Sequence, residues 1–132
     1  MDKTQLSESD ICDKFIRPAM EKAGWNGLDQ IFREYPLRAG RVVVRGNKAY
    51  RDKSTVLRAD YALFYKANIP LAVVEAKDNK HAVGAGMGQA LNYAQLLDVP
   101  FSFSSNGDGF VFRDATLATG VLEQNLTLEE FP

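Results

Sequence analysis

Ile69-Pro70-Leu71-Ala72-Val73-Val74-Glu75-Ala76-Lys77 is the stretch on which the fold turns. Its apolar run is rich in Leu, Val and Ala, as expected of a strand buried on both faces. It closes on a carboxylate and an ammonium two residues apart, which an extended chain projects to the same side. Upstream, Ala59 to Tyr65 alternates and is aromatic, and Lys66-Ala67-Asn68 is short enough to join the two segments as an antiparallel hairpin. Downstream, the spacing of Met87, Leu91, Ala94 and Leu97 predicts a helix from about Val83 to Leu97, with Pro100 just beyond it. Phe101 to Phe103 and Phe110 to Phe112 then flank Ser104-Ser105-Asn106-Gly107-Asp108-Gly109 as two strands around a turn. A strand from Ile69, a crossover helix and a strand at Phe101 form a βαβ unit, so that pair is expected to be parallel within an otherwise antiparallel sheet.

The N-terminal part supplies the other layer. Ser7 and Asp10 have capping-box spacing, and Ile11, Phe15, Ala19, Met20 and Ala23 form an apolar stripe, predicting a helix over residues 7–23 that ends at Gly24. Pro18 lies inside it and removes a backbone donor, so the helix should kink or split there. Ile31 to Leu37 reads as extended. Arg41 to Lys53, with Val42-Val43-Val44 and a Gly46-Asn47 turn signal, reads as a strand and a charged loop or hairpin arm. The order is αβββαββ: an α/β fold with a central mixed β-sheet flanked by helices.

At 132 residues and 14.7 kDa the chain suits a single domain, residues 1–132. With 45% hydrophobic and 25% charged residues it has the composition of a globular protein. Cys12 is the only cysteine and His81 the only histidine, which excludes an intramolecular disulfide and a Cys/His zinc cluster. No apolar run is long enough to span a bilayer, and Asp2, Glu8, Asp10 and Asp13 are unlike a secretory leader, so no membrane partner and a cytoplasmic location are expected.

The net charge of -1 hides an asymmetry. From Arg38 to Arg58 there are seven basic residues (Arg38, Arg41, Arg45, Lys48, Arg51, Lys53, Arg58) against the acid Asp52. From Asn106 to Pro132, Arg113 faces five acids. A local basic stretch can neutralise phosphates even on a nearly neutral chain, although a solvated strand face balanced by an acidic tail would look the same.

Charges at the end of so apolar a strand cost several kcal/mol in desolvation unless compensated. An ion pair closing the strand is the simplest account of Glu75 and Lys77. The hairpin supplies another, because it brings Asp60 close to opposite Val74 and Glu75. Two carboxylates at about 4 Å repel by roughly 1 to 4 kcal/mol, and both stay ionised only with a cation between them. Asp60 and Glu75, with a backbone carbonyl such as that of Ala76, suit Mg²⁺; softer metals would favour the His and Cys ligands this chain lacks. Lys77 beside such a site can orient and help deprotonate an attacking water, which together with a metal is the requirement for phosphodiester hydrolysis.

On the second predicted helix, Gln89 and Tyr93 are four apart and share a face. They would position water or DNA backbone, or else form a polar helix face with a partly buried tyrosine. Glu8, in the first turn of helix one, is favoured there by the helix dipole; its functional reading is an outer metal ligand.

Asp60 in Leu57-Arg58-Ala59-Asp60-Tyr61, Glu75-Ala76-Lys77, and Gln89-Ala90-Leu91-Asn92-Tyr93-Ala94 resemble the D, ExK and QxxxY signature of the PD-(D/E)xK nuclease superfamily. The chain is also similar to the N-terminal endonuclease domain of the restriction (R) subunit of type I restriction-modification enzymes. This likeness runs from Ser7-Glu8-Ser9-Asp10 through Ala23-Gly24-Trp25, Val74-Glu75-Ala76-Lys77 and Ser105-Asn106-Gly107-Asp108 to Leu128-Glu129-Glu130-Phe131-Pro132. The resemblance implies Mg²⁺ at Asp60 and Glu75, a catalytic Lys77, and Gln89 and Tyr93 completing a site that hydrolyses double-stranded DNA. It further implies that the chain is an N-terminal piece of a longer motor subunit, with an ATP-driven translocase following and partner subunits for methylation and specificity. Ala59, where the superfamily's name has proline, is a departure at a position that is not a ligand.

Two other readings compete. Gly84-Ala85-Gly86-Met87-Gly88 opens a helix after a strand, but lacks the third glycine of a dinucleotide fingerprint and starts some eight residues late, and no Gly-x-x-x-x-Gly-Lys-Ser/Thr loop occurs, so neither a dinucleotide nor ATP is assigned here; close packing of the helix on the sheet, or approach of a phosphate backbone, explains the glycines better. The alternative within the fold is a catalytically inactive DNA-docking or subunit-interaction module, which has no reason to keep Asp60, Glu75 and Lys77 together. His81 reads as a surface residue.

Overall fold

A computed structural model describes residues 2–37, 42–45, 48–51, 57–116 and 123–132, with 42–45 and 48–51 described as backbone alone. A helical layer opens the chain: α1 (Glu8–Ile11), a π-helical turn (Cys12–Ile16) and α2 (Arg17–Lys22) run on without a break. Ser7 and Asp10 form the expected capping box, Ser7 Oγ accepting from the Asp10 amide at 3.1 Å and Asp10 Oδ2 from the Ser7 amide at 3.3 Å. The wide turn answers Pro18. With no proline N–H to continue the α ladder, the Arg17 amide reaches back five residues to the Cys12 carbonyl. Gly24, at φ 108°, terminates the layer in a conformation that glycine adopts readily.

The strands are β1 (Ile31–Pro36), β2 (Val42–Arg45), β3 (Lys48–Arg51), β4 (Arg58–Lys66), β5 (Ile69–Ala76), β6 (Phe101–Ser105), β7 (Phe110–Asp114) and β8 (Glu123–Leu126), with α3 (Met87–Leu97) between β5 and β6. Six of them form one sheet in the order β1-β4-β5-β6-β7-β8, and β2 and β3 form a separate antiparallel hairpin, which realises the reading of Arg41 to Lys53 as a hairpin arm. The β4–β5 hairpin closes through Ala67 and Asn68; Asn68 takes a φ of 66°, which asparagine tolerates better than most residues. β5 and β6 are parallel, with Ala72 beside Phe101 and Ala76 beside Ser105, as the crossover through α3 requires.

Two expectations need adjustment. α3 starts at Met87 rather than near Val83, because the Ser104 hydroxyl bonds both the Val83 carbonyl (2.7 Å) and the Gly86 amide (2.9 Å) and holds 83–86 as turns. β8 was not among the expected strands: Glu123-Gln124-Asn125 is exposed and polar, so the alternation that reveals a half-buried strand is missing.

The sheet separates two apolar layers. On one face Ile11, Ile16 and Met20 of the first helical run meet Tyr61, Leu63, Val74, Phe103 and Phe110. On the other, Ala90, Tyr93 and Ala94 of α3 meet Ala59, Val73 and Val111. Full burial of a side chain of this size is worth about 1.5–3 kcal/mol, so both faces of the central strands contribute to stability. This double cover explains the unbroken apolar run of β5. Among the described residues no helix is long and apolar enough to cross a membrane.

Candidate active site

The site lies where β4 and β5 separate. Tyr61 pairs with Val74, so the register carried one step further sets Asp60 opposite Glu75. Regular pairing stops there and side chains take over. Asp60 Oδ2 accepts from the Ala76 amide at 2.8 Å, while Glu75 Oε1 faces the Asp60 amide at 3.4 Å. Each carboxylate thus satisfies a backbone donor beside the other residue, and the two are held on one side of the sheet.

Glu75 is 2% exposed. Burial, followed by hydrogen bonding and charge repulsion from Asp60, pushes its carboxyl up to about 10. A carboxyl so held keeps its proton at neutral pH. The Glu75 carboxyl is buried beside Asp60, and a cation bound there would take the place of the Glu75 proton.

Glu8 comes to the same place from α1. Partial desolvation and the Asp60 charge push its carboxyl up, and Lys77 acts in the opposite direction. Lys77 follows the end of β5, with its amide bonded to the Ser105 carbonyl at 2.9 Å. Glu8 is therefore within electrostatic reach of Asp60, Glu75 and Lys77. Gln89 and Tyr93 are paired on α3, Gln89 Nε2 donating to Tyr93 Oη at 2.6 Å. Tyr93 is buried against the sheet and Gln89 is exposed; among the described residues no hydrogen bond ties either to Asp60, Glu75 or Lys77.

Sequence reasoning did not single out Arg33. It lies on β1 with its Nη1 3.3 Å from the Asp60 carbonyl oxygen and 3.8 Å from Asp60 Oδ1, and its guanidinium is 5.3 Å from the centre of the Tyr61 ring. The neighbouring Glu34 falls opposite Asp60 in the β1–β4 register and has a φ of 52°, which marks a local break in β1 at this point. Arg33 shares the inward phase of β1 with Ile31 and Tyr35, so a cation among inward positions was the available signal.

Among the described residues no three His, Cys, Asp or Glu side chains form a ready-made metal cluster. Donor chemistry still fits a hard cation: Asp60 and Glu75 offer carboxylate oxygens, while burial pushes the thiol of nearby Cys12 up to about 12 and keeps it neutral. Of the basic stretch from Arg38 to Arg58, only Arg58 has a described side chain, and it is exposed; Arg45, Lys48 and Arg51 lie on β2 and β3, described as backbone alone, and Arg38, Arg41 and Lys53 lie outside the described residues.

Comparison with known proteins bears on the family and the fold. Residues 41–119 match the family described as type I restriction enzyme R protein N terminus (HSDR_N). The chain is 54% identical over 130 residues to the type I restriction enzyme EcoAI endonuclease subunit of Escherichia coli, covering 98% of this chain and 16% of that protein. The fold matches, at a TM-score of 0.79 and 38% identity, the fragment structure of a candidate HsdR subunit of a type I restriction enzyme from Vibrio vulnificus YJ016, covering 96% of this chain and 24% of that one. The chain therefore belongs to the family of type I restriction enzyme R protein N-terminal domains.

Proposed function

We propose that this domain is the Mg²⁺-dependent endonuclease of a type I restriction enzyme, hydrolysing phosphodiester bonds of foreign double-stranded DNA in the cytoplasm. The observation that carries the reading is the apposition of Asp60 and Glu75 at the end of a buried strand, with the Glu75 carboxyl pushed up by burial first and by Asp60 second. Such an arrangement is costly for a purely structural role and suited to binding a cation.

Asp60, Glu75 and the Ala76 carbonyl would hold Mg²⁺, with Glu8 as an outer contact. Bound there, the ion supplies Lewis acidity toward a phosphoryl oxygen. The chain's own groups do the rest. Lys77 would orient the attacking water and help deprotonate it by accepting its proton as the neutral amine, the ammonium so formed offsetting charge on the phosphate. Gln89, exposed and anchored by Tyr93, is placed to contact the DNA backbone. The matched relatives are far longer than this chain, so ATP-driven translocation, methylation and sequence specificity are assigned to the rest of the polypeptide and to partner subunits.

Asp60→Ala, Glu75→Ala and Lys77→Ala, each in the assembled restriction enzyme, should abolish DNA cleavage and leave ATP hydrolysis intact. Near wild-type cleavage in any of the three would overturn the assignment and leave a docking module of the same fold.

A further inference from the structure

The turn that follows β6, Ser105-Asn106-Gly107-Asp108, takes no part in the chemistry above, yet it carries a dense set of polar contacts. Asn106 is 4% exposed. Its Nδ2 donates to the His81 carbonyl at 2.6 Å and its Oδ1 accepts from the Asp108 amide at 3.0 Å. These partners fix the orientation of the amide, since only one assignment gives a donor to the carbonyl and an acceptor to the N–H. Asn79 Nδ2 returns a bond to the Asn106 carbonyl at 2.8 Å, and the Lys77 amide bonds the Ser105 carbonyl at 2.9 Å.

Three ties therefore run from one turn to the segment 77–81, at its first, third and fifth residues. That segment leaves β5 directly after Glu75 and Ala76 and runs on outside the strands. The turn is itself braced: Ser105 Oγ donates to the Gly109 carbonyl at 2.6 Å and accepts from the Gly107 amide at 3.1 Å. A rigid turn thus holds the backbone on which Lys77 stands, while Asp60 and Glu75 are held by the β4–β5 register and Glu75 also by its pairing with Ser104 of β6, strand contacts that do not involve the Asn106 side chain.

We infer that Asn106 is a positioning residue for Lys77, clamping the 77–81 segment so that the lysine is set against the carboxylate pair. The inference rests on the nuclease reading. It separates two functions that would otherwise move together, because the clamp acts on the lysine and leaves the two acids where they are.

The test uses the full-length R polypeptide in its assembled enzyme, with Mg²⁺ varied. Asn106→Asp keeps the acceptor for the Asp108 amide and sets a carboxylate against the His81 carbonyl, releasing the segment while preserving the turn. It should lower the cleavage rate at saturating Mg²⁺ by roughly 10- to 100-fold, the cost of misplacing a catalytic group by an ångström or so, with the half-saturating Mg²⁺ concentration unchanged. Asn79→Ala, at a less buried site, should move the rate in the same direction by less. Lys3→Met, which removes a 2.9 Å bond to the Gly107 carbonyl on the other side of the turn, should leave both quantities as they are. A wild-type rate in both asparagine variants would overturn the inference. So would a fall in rate accompanied by an equal weakening of Mg²⁺ dependence, which indicates general loosening of the site. Cleavage surviving in Lys77→Ala would instead remove the nuclease reading, and this inference with it.

Discussion

Asp60 and Glu75 bracket one another across the divergence of β4 and β5, each carboxylate facing a backbone amide at or beside the other residue, at 2.8 and 3.4 Å. The pair takes the place of the next rung of the ladder, and this ties the geometry of the two carboxyls to strand register. It also makes the site a source of instability in the absence of a cation, because the Glu75 carboxyl is buried beside the partly exposed Asp60.

The first prediction follows from that tension. Glu75 holds its proton up to about 10 in the folded chain and near 4.5 when unfolded. Folding takes up a proton between those values, so stability is present at low pH and is lost as pH rises through this window, by at most about 1.4 kcal/mol per pH unit. Glu75→Gln removes the group, and should flatten the pH dependence and raise stability at pH 9. Urea denaturation of the metal-free chain at pH 6 and pH 9 checks this; equal slopes in wild type and variant would refute it.

A second prediction concerns the floor of the site. Tyr61 is fully buried, and among the described residues its hydroxyl has no hydrogen-bond partner. Burial raises its pKa, so it stays neutral. An unpaired buried hydroxyl costs on the order of 1 kcal/mol or more, so Tyr61→Phe should fold with unchanged or slightly greater stability. A loss of stability in thermal melts would reveal a contact that the structure does not show.

A third prediction separates two glycines of the run that opens α3. A Cβ on Gly86 would lie 3.1 Å from Ser104 Oγ and 3.3 Å from Glu75 Cβ, whereas a Cβ on Gly88 would meet nothing within 4 Å. Gly86→Ala should therefore push α3 away from the carboxylate strand, costing roughly 1–3 kcal/mol and impairing cleavage. Gly88→Ala should stabilise α3 by about 0.5–1 kcal/mol and leave cleavage alone. Equal effects in denaturation and cleavage assays would contradict the close-packing account of these glycines.

How far the sequence carried this structure can be read from single residues. The short Lys66-Ala67-Asn68 connection was enough to place Asp60 near Glu75, because a tight hairpin leaves little freedom of register. Pro18 announced the disturbance in the first helix but not its form as a π turn, since proline removes one donor without dictating which carbonyl the next amide finds. β8 escaped notice because an exposed edge strand needs no apolar alternation. Arg33 escaped because its role depends on the β1–β4 register, a long-range pairing with no local signature.

The central claim is that Asp60 and Glu75 together bind a divalent cation, and calorimetric titration of the folded chain with Mg²⁺, and with Mn²⁺ in parallel, tests it most directly. The account predicts a saturable isotherm for the wild type, with proton release on binding, that disappears in both Asp60→Asn and Glu75→Gln while the fold is retained. Identical isotherms in wild type and both variants would contradict it.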